Sequence, residues 1–235
     1  MAADVMASPV SDRLTVTALL LLTFATGLVD AISVLVLGHI FVANMTGNII
    51  FLGFALAGAG GLSPVASLIA LAAFLLGALA GGWLGARYHA HRGHLLRAAN
   101  VTQVLLIGAA VLLASLTVEP PARATRYALI VLLALALGVQ NAAAQRLSVP
   151  DLTTTVLTRT LTGLASESGL VGGAGSKLGR RIVAIGAMLL GALIGGLLAL
   201  HVSIAAALGV ALAIVACSGL AVHLRSRSSG VWTRD

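Results

Sequence analysis

Six apolar stretches, each about as long as a membrane span, constrain this chain more than any other feature of its sequence. A helix needs about 20 apolar residues to cross a hydrocarbon core. Only 9% of the 235 residues are charged, whereas a soluble domain carries about 25%. The sequence therefore predicts an all-α polytopic membrane protein, a single membrane domain over residues 1–235. Its predicted spans are residues 14–37, 65–86, 101–118, 127–146, 182–200 and 203–224.

Two shorter apolar segments, residues 44–57 and 152–166, are interrupted by Asn, Thr and Gly. A helix of about 14 residues reaches only ~21 Å, which is short of a ~30 Å hydrocarbon core. We expect them to be re-entrant or broken segments rather than spans. Length alone leaves open whether they cross, so six-span and eight-span arrangements both have to be compared.

The chain also repeats itself. The string FLLGALAGGWL at residues 74–84 returns as MLLGALIGGLL at residues 188–198, and GLVDA at 27–31 aligns with GVQNA at 138–142. Both long strings place small residues four positions apart, which is typical of a helix-packing face in membranes. We therefore expect two repeats, one over about residues 14–118 and one over about residues 127–224.

A polar tract follows the shorter motif in each repeat: NMTGN at residues 44–48 and TTTVLTRT at residues 153–160. Glycine-rich breaks come after both tracts, at residues 58–61 and 169–175. Four features in the same order favour duplication over chance similarity in a sequence rich in Gly, Ala and Leu.

Charge distribution selects the topology. The densest basic loop, at residues 87–97 with Arg87, Arg92 and Arg97, is expected in the cytoplasm, where it contacts anionic lipid. Six spans also place residues 146–181 and both termini inside, whereas eight spans put several basic residues outside. Three crossings per half then predict a 3+3 inverted repeat, with the polar tracts entering from opposite faces.

The re-entrant geometry predicts a polar site at mid-membrane. From residue 39 to 44 the chain, if extended, descends ~16 Å, about half the core. Gly47 suits a sharp turn there, and Asn48 suits the N-cap of a returning half-helix. Half-helix N-termini that meet at the midplane of an inverted repeat are typical of transporters and channels.

Asp30 is the sharpest single signal, because a carboxylate inside a span costs at least ~2.5 kcal/mol and is by default a functional-site hypothesis. Arg159 is its candidate partner, and the second repeat has neutral Gln140 and Asn141 at the equivalent position. The alternative is that these polar side chains only hold the fold together. The predicted substrate or ion path consists of Asp30, Asn44, Thr46, Asn48, Gln140, Asn141, Thr154, Thr155, Thr158, Arg159 and Thr160.

Other chemistry finds no support in the sequence. It contains no HExxH, GxSxG or P-loop motif, so we predict no enzyme, no catalytic residue, no metal site and no cofactor. The net charge of +7 resides mainly in loops between apolar spans, which argues against a nucleic-acid partner. The expected partners are the lipid bilayer and an unidentified small solute or ion, and a homo-oligomer stays open.

The motifs resemble the YoaK-type family of bacterial membrane proteins, a family of unknown function. The residues concerned are GLVDA at 27–31, FVANMTGN at 41–48, GVQNA at 138–142 and TTTVLT at 153–158. Arg159 departs from the pattern, since the family usually has glycine between two threonines there. The resemblance implies a bacterial inner-membrane protein. It implies little about activity. The polar tracts lead us to expect a small channel or secondary transporter, the alternative being a non-transporting scaffold or accessory subunit.

Overall fold

The computed structural model describes residues 9–88, 92–147, 157–166 and 178–226, in which all the regular structure is helical. Six of the described helices are long and apolar enough to cross a membrane, and this confirms the polytopic all-α prediction. The helices are α1 (Pro9–Leu35), α2 (Met45–Leu56), α3 (Pro64–Arg87), α4 (Arg92–Ser115), α5 (Arg123–Leu147), α6 (Leu157–Ser166), α7 (Leu178–His201) and α8 (Ile204–Ser226).

Helices α1 and α5 form the centre of the bundle, and two-thirds of the most apolar window in each is buried. Helices α3, α4, α7 and α8 surround them and expose many large aliphatic side chains, among them Leu79, Leu105 and Leu189. An apolar surface of this extent is what a bilayer solvates. The chain is therefore a multi-pass membrane protein.

The glycine pattern forms close helix contacts, as predicted. A Cβ atom on Gly77 of α3 would collide with the Leu135 carbonyl of α5, and one on Gly191 of α7 would collide with the Phe24 carbonyl of α1. Such contacts let backbones approach closely, and they replace the hydrophobic driving force that is missing within lipid. The helix pairs α3–α5 and α1–α7 consequently make the most extensive contacts among the described elements.

The same contacts recur in both halves of the chain. Gly27 of α1 faces the Met188 carbonyl, and its counterpart Gly138 of α5 faces Phe74, the counterpart of Met188. The pairing of α4 with α5 likewise has its equivalent in the pairing of α8 with α1. Structure and sequence thus identify the same two sets of equivalent residues.

The segment containing α2 leaves one end of the bundle and returns to it. Leu37 and Gly38, just after α1, line the same cavity as Ser63 and Pro64 at the start of α3. Arg126, in the first turn of α5, lines that cavity as well. Since α1 ends where α3 and α5 begin, α5 runs in the opposite direction to α1. With 12 residues, α2 extends only ~18 Å.

Two boundaries differ most from the sequence prediction, namely the starts of α4 and α1. Helix α4 begins at Arg92 rather than at residue 101, so the predicted basic loop is partly helical and Arg97 belongs to α4. Its polar first turns can lie beyond the hydrocarbon, because the apolar part of α4 is long enough to span without them. Helix α1 begins at Pro9, and the glycine-rich break at residues 169–175 lies outside the described residues.

Candidate functional site

Asp30 in α1 binds the chain that descends from the end of the same helix. Its Oδ1 accepts hydrogen bonds from the backbone N–H groups of Val42 and Ala43, both at 3.0 Å. These amides belong to the non-helical stretch before α2, whose polar backbone needs internal partners in a membrane. The carboxylate therefore anchors this non-helical stretch, residues 39–44, which we call the descending strand. Arg159, its candidate partner from the sequence, has a side chain outside the described residues.

Asn48 makes a second anchor. Its Nδ2 donates to the Phe41 carbonyl at 2.6 Å, and its Oδ1 accepts from the Phe41 N–H at 2.8 Å. The prediction that Asn48 caps α2 is wrong, because the helix begins at Met45 with Asn44 as N-cap. Asn48 lies in the second turn of α2, fully buried, and satisfies the backbone of Phe41 instead.

Gly47 was also misplaced by the sequence prediction. It is part of α2 and not of a sharp turn. A Cβ atom at this position would lie 2.6 Å from Cδ2 of the Phe41 ring. Glycine is therefore required by the close approach of Phe41. Positive backbone φ angles occur instead before α2, at Gly38 (106°) and His39 (56°), where the chain reverses after α1, and after α2, at Gly58 (90°) and Gly61 (80°).

Gln140, the neighbour of the position equivalent to Asp30, holds three helices together. Its Nε2 donates to Thr26 Oγ1 of α1 at 2.9 Å, and its Oε1 accepts from Gln103 Nε2 of α4 at 2.5 Å. The Gln140 side chain is buried. Its hydrogen bonds connect α1, α4 and α5, and it lines neither of the two cavities described next.

One cavity, here called the Asp30 cavity, has a volume of about 440 Å³. It lies between α1, α7, the descending strand and the first turn of α6. It contains Asp30, Asn44 and Thr158, three residues that the sequence assigned to the path. Its lining residues are Gly27, Asp30, Ala31, Val34, Leu35, Phe41, Asn44, Thr158, Met188 and Ala192.

A second cavity, here called the Arg146 cavity, has a volume of about 660 Å³. It lies between α3, α5 and the first turn of α2. Three predicted path residues line it: Asn44, Thr46 and Asn141. Its full lining is Ala43, Asn44, Met45, Thr46, Phe74, Ala78, Gly82, Asn141, Ala142, Gln145 and Arg146.

The two cavities are counterparts in the repeat. Asp30 of the first occupies the position of Asn141 in the second, and Met188 the position of Phe74. Continuing the alignment, Val34 and Leu35 in the first cavity correspond to Gln145 and Arg146 in the second. Because α1 and α5 run in opposite directions, the corresponding parts of the two linings lie toward opposite ends of the bundle. Asn44 lines both of them.

The second polar tract is described only in part. Thr154 and Thr155 lie outside the described residues. Thr158 is exposed in the Asp30 cavity, and Thr160 is buried in α6. The Arg181 guanidinium of α7 donates to the Gly163 carbonyl and so fastens α6 to α7.

Several lining residues were missed by sequence reasoning. Gln145 and Arg146 were taken as the end of a span, Phe74 as part of a helix-packing string, and Phe41 only as part of the motif at residues 41–48. The repeat contained a usable signal, because positions equivalent to those near Asp30 fall on Asn141, Gln145 and Arg146. Reading the alignment one further helical turn beyond each motif would have found them.

Comparison with known proteins agrees with the resemblance seen in the motifs. A family model described as "Protein of unknown function (DUF1275)" matches residues 18–221. The UPF0700 transmembrane protein YoaK of Bacillus subtilis (strain 168) is 34% identical to this chain over 152 residues. The matched region is 64% of this chain and 66% of the YoaK protein, so the chain spans just under two thirds of the length of that relative. No solved structure matches the chain. Since the family model covers most of its length, this multi-pass membrane protein belongs to the DUF1275 family.

Proposed function

We propose that this protein is a small channel or secondary transporter whose path runs through the Asp30 cavity and the Arg146 cavity. The proposal rests on one observation: the two cavities are lined by repeat-equivalent residues and both reach Asn44. Alternating access across an inverted repeat requires such an arrangement, in which two half-cavities open in opposite directions and approach each other at a shared polar residue.

We infer a 3+3 inverted repeat in a bacterial inner membrane, with both termini in the cytoplasm. Support comes from the return of the α2 segment to the end where α1 stops, which leaves three crossings in the first half. Basic residues then concentrate on the cytoplasmic side, at Arg87, Arg97 and Arg180. In this orientation the Asp30 cavity opens outward and the Arg146 cavity opens inward.

The two halves of the path differ in chemistry. The Arg146 cavity presents amide, hydroxyl and guanidinium groups from Asn44, Thr46, Asn141, Gln145 and Arg146. The Asp30 cavity is largely apolar, and the one carboxylate in it already accepts two backbone hydrogen bonds. We therefore propose that Asp30 shapes the path by fixing the descending strand, and that a small polar solute or ion is recognised mainly by Asn44 and the groups of the Arg146 cavity.

A non-transporting scaffold or accessory subunit is the second candidate, and a specific observation favours it. Asp30, Asn48 and Gln140 all use their hydrogen-bonding groups within the fold. In a scaffold, such residues would only stabilise a re-entrant segment against lipid. The two candidates differ in one respect that can be measured, since only a transport path needs access to water from both faces.

Side-specific cysteine labelling tests the proposal. Cys217, the single cysteine of the chain, is first replaced by alanine. Val34→Cys and Gln145→Cys then place a thiol in each cavity, with Ala211→Cys, fully buried in α8, as the control. A membrane-impermeant thiol reagent should label residue 34 from outside only and residue 145 from inside only. Labelling of both from one face contradicts the inversion, and labelling of neither favours the scaffold.

A further inference from the structure

A third cavity lies at the end of the bundle where α1 stops and α3 and α5 begin. It is separate from the proposed path and has a volume of about 350 Å³. We refer to it as the Arg126 cavity. The residues that matter for its chemistry are Gly38, Ser63, Pro64, Arg123, Arg126 and Tyr127.

We propose that the Arg126 cavity binds an oxyanion, namely a phosphate or phosphodiester group. Two arginines line it, and its lining includes no carboxylate. Arginine stays protonated at any physiological pH, and its planar fork of N–H donors matches phosphate oxygens. Two such groups at the wall of one cavity repel each other unless an anion lies between them.

Arg126 has a donor that the described part of the chain leaves unused. Its Nε is buried and meets no hydrogen-bond acceptor among the described residues. A buried donor without an acceptor costs about 1–3 kcal/mol, and more when the group is charged, so a bound oxyanion would remove a real penalty. The nearest acid along the chain, Glu119, accepts a hydrogen bond at 2.7 Å from the Ile204 N–H at the start of α8.

The start of α3 adds to the positive potential. The Ser63 hydroxyl caps the helix by accepting from the Ala66 N–H at 3.2 Å, and the first turn contains no acidic residue. The helix dipole therefore favours an anion in front of it. Gly38 forms the facing wall, where a Cβ atom would be 3.6 Å from Arg126 Nη1, and its φ of 106° suits glycine.

The expected location of this cavity sharpens the inference. In the orientation proposed above, Arg123 and Arg126 lie on the outer side, where lysine and arginine are depleted in membrane proteins. Two arginines lie here against that bias, and an anion beside them would offset their charge. This anion is either the head group of an anionic phospholipid or a free phosphate, and both present the same oxygens to the guanidinium groups.

Binding to the purified full-length chain distinguishes these sources. Inorganic phosphate is titrated into the detergent-solubilised protein at constant ionic strength, and phosphatidylglycerol is compared with phosphatidylcholine by native mass spectrometry. We expect Arg126→Gln to weaken binding of at least one of the two anions about tenfold or more. Arg13→Gln, near the start of α1 and so at the opposite end of the bundle, removes the same charge elsewhere and should leave binding unchanged.

The outcomes are decisive in each direction. Binding of phosphate alone assigns the site to a free anion, and binding of phosphatidylglycerol alone assigns it to a lipid head group. Equal losses in Arg126→Gln and Arg13→Gln would show general electrostatic attraction and overturn the proposal, as would binding of neither anion. If Arg126→Gln does not fold, Arg123→Gln serves as the test variant with the same expected loss.

Discussion

Replacing Asp30 separates its role as an anchor from a role that depends only on its charge. In Asp30→Ala the N–H groups of Val42 and Ala43 lose their acceptor within the buried descending strand. Each unsatisfied buried N–H costs about 1–3 kcal/mol, so we expect the free energy of unfolding to fall by about 2–6 kcal/mol. Asp30→Asn keeps an oxygen that can accept both bonds but makes them neutral, and neutral bonds are weaker than charge-assisted ones. Its expected loss is therefore smaller, about 1–3 kcal/mol.

The assay is equilibrium unfolding of the purified protein in mixed micelles with increasing denaturing detergent, with Thr23→Val as a control. Thr23 is buried in α1, like Asp30, but its hydroxyl donates only to the Leu19 carbonyl of its own helix at 2.8 Å. We expect the order of stability to be wild type, then Asn, then Ala. An alanine variant within about 0.5 kcal/mol of wild type, the range of neutral surface changes, would refute the anchoring role.

Two further predictions concern packing within the bundle. Gly191→Leu should prevent folding or destabilise the protein severely, because its Cβ would collide with the backbone of α1. The control is Gly186→Leu on the same helix, where an added Cβ meets nothing within 4 Å. Thermal melting in detergent compares the two variants, and equal melting temperatures would contradict the packing account. A double-mutant cycle on Gln103→Ala and Gln140→Ala, measured by the detergent unfolding assay used for Asp30, should give a coupling energy of about 0.6–1.7 kcal/mol, the range for hydrogen bonds between membrane helices. Additive losses of stability would show that the contact between the two side chains contributes nothing.

The spans and the repeat were predictable because they follow from local sequence properties. Hydropathy indicates how many residues are needed to cross the lipid. The four-residue spacing of small residues that begins at Gly77 in one repeat and at Gly191 in the other indicates a face on which helices touch. Both properties appear in the structure where the sequence placed them. The two equivalent short motifs, at residues 27–31 and 138–142, likewise fall on the two equivalent central helices, α1 and α5.

The roles of individual polar residues were harder to predict, because they depend on contacts between separate segments. Asn48 was assigned as an N-cap from local preference, yet its amide satisfies the backbone of Phe41, seven residues earlier. Gln140 was assigned to the path, but it bonds α1 and α4. In lipid, freed backbone groups must find partners inside the protein, and only the fold determines which side chain supplies them.

Accessibility of residue 44 is the most direct test of the proposed path, because Asn44 is where the two cavities approach each other. Asn44→Cys in a background without Cys217 is exposed, in separate experiments, to a membrane-impermeant thiol reagent from each face of oriented vesicles, with Ala211→Cys as the buried control. The proposal predicts labelling at residue 44 from both faces and none at residue 211. Absence of labelling at residue 44 from either face would contradict a continuous transport path.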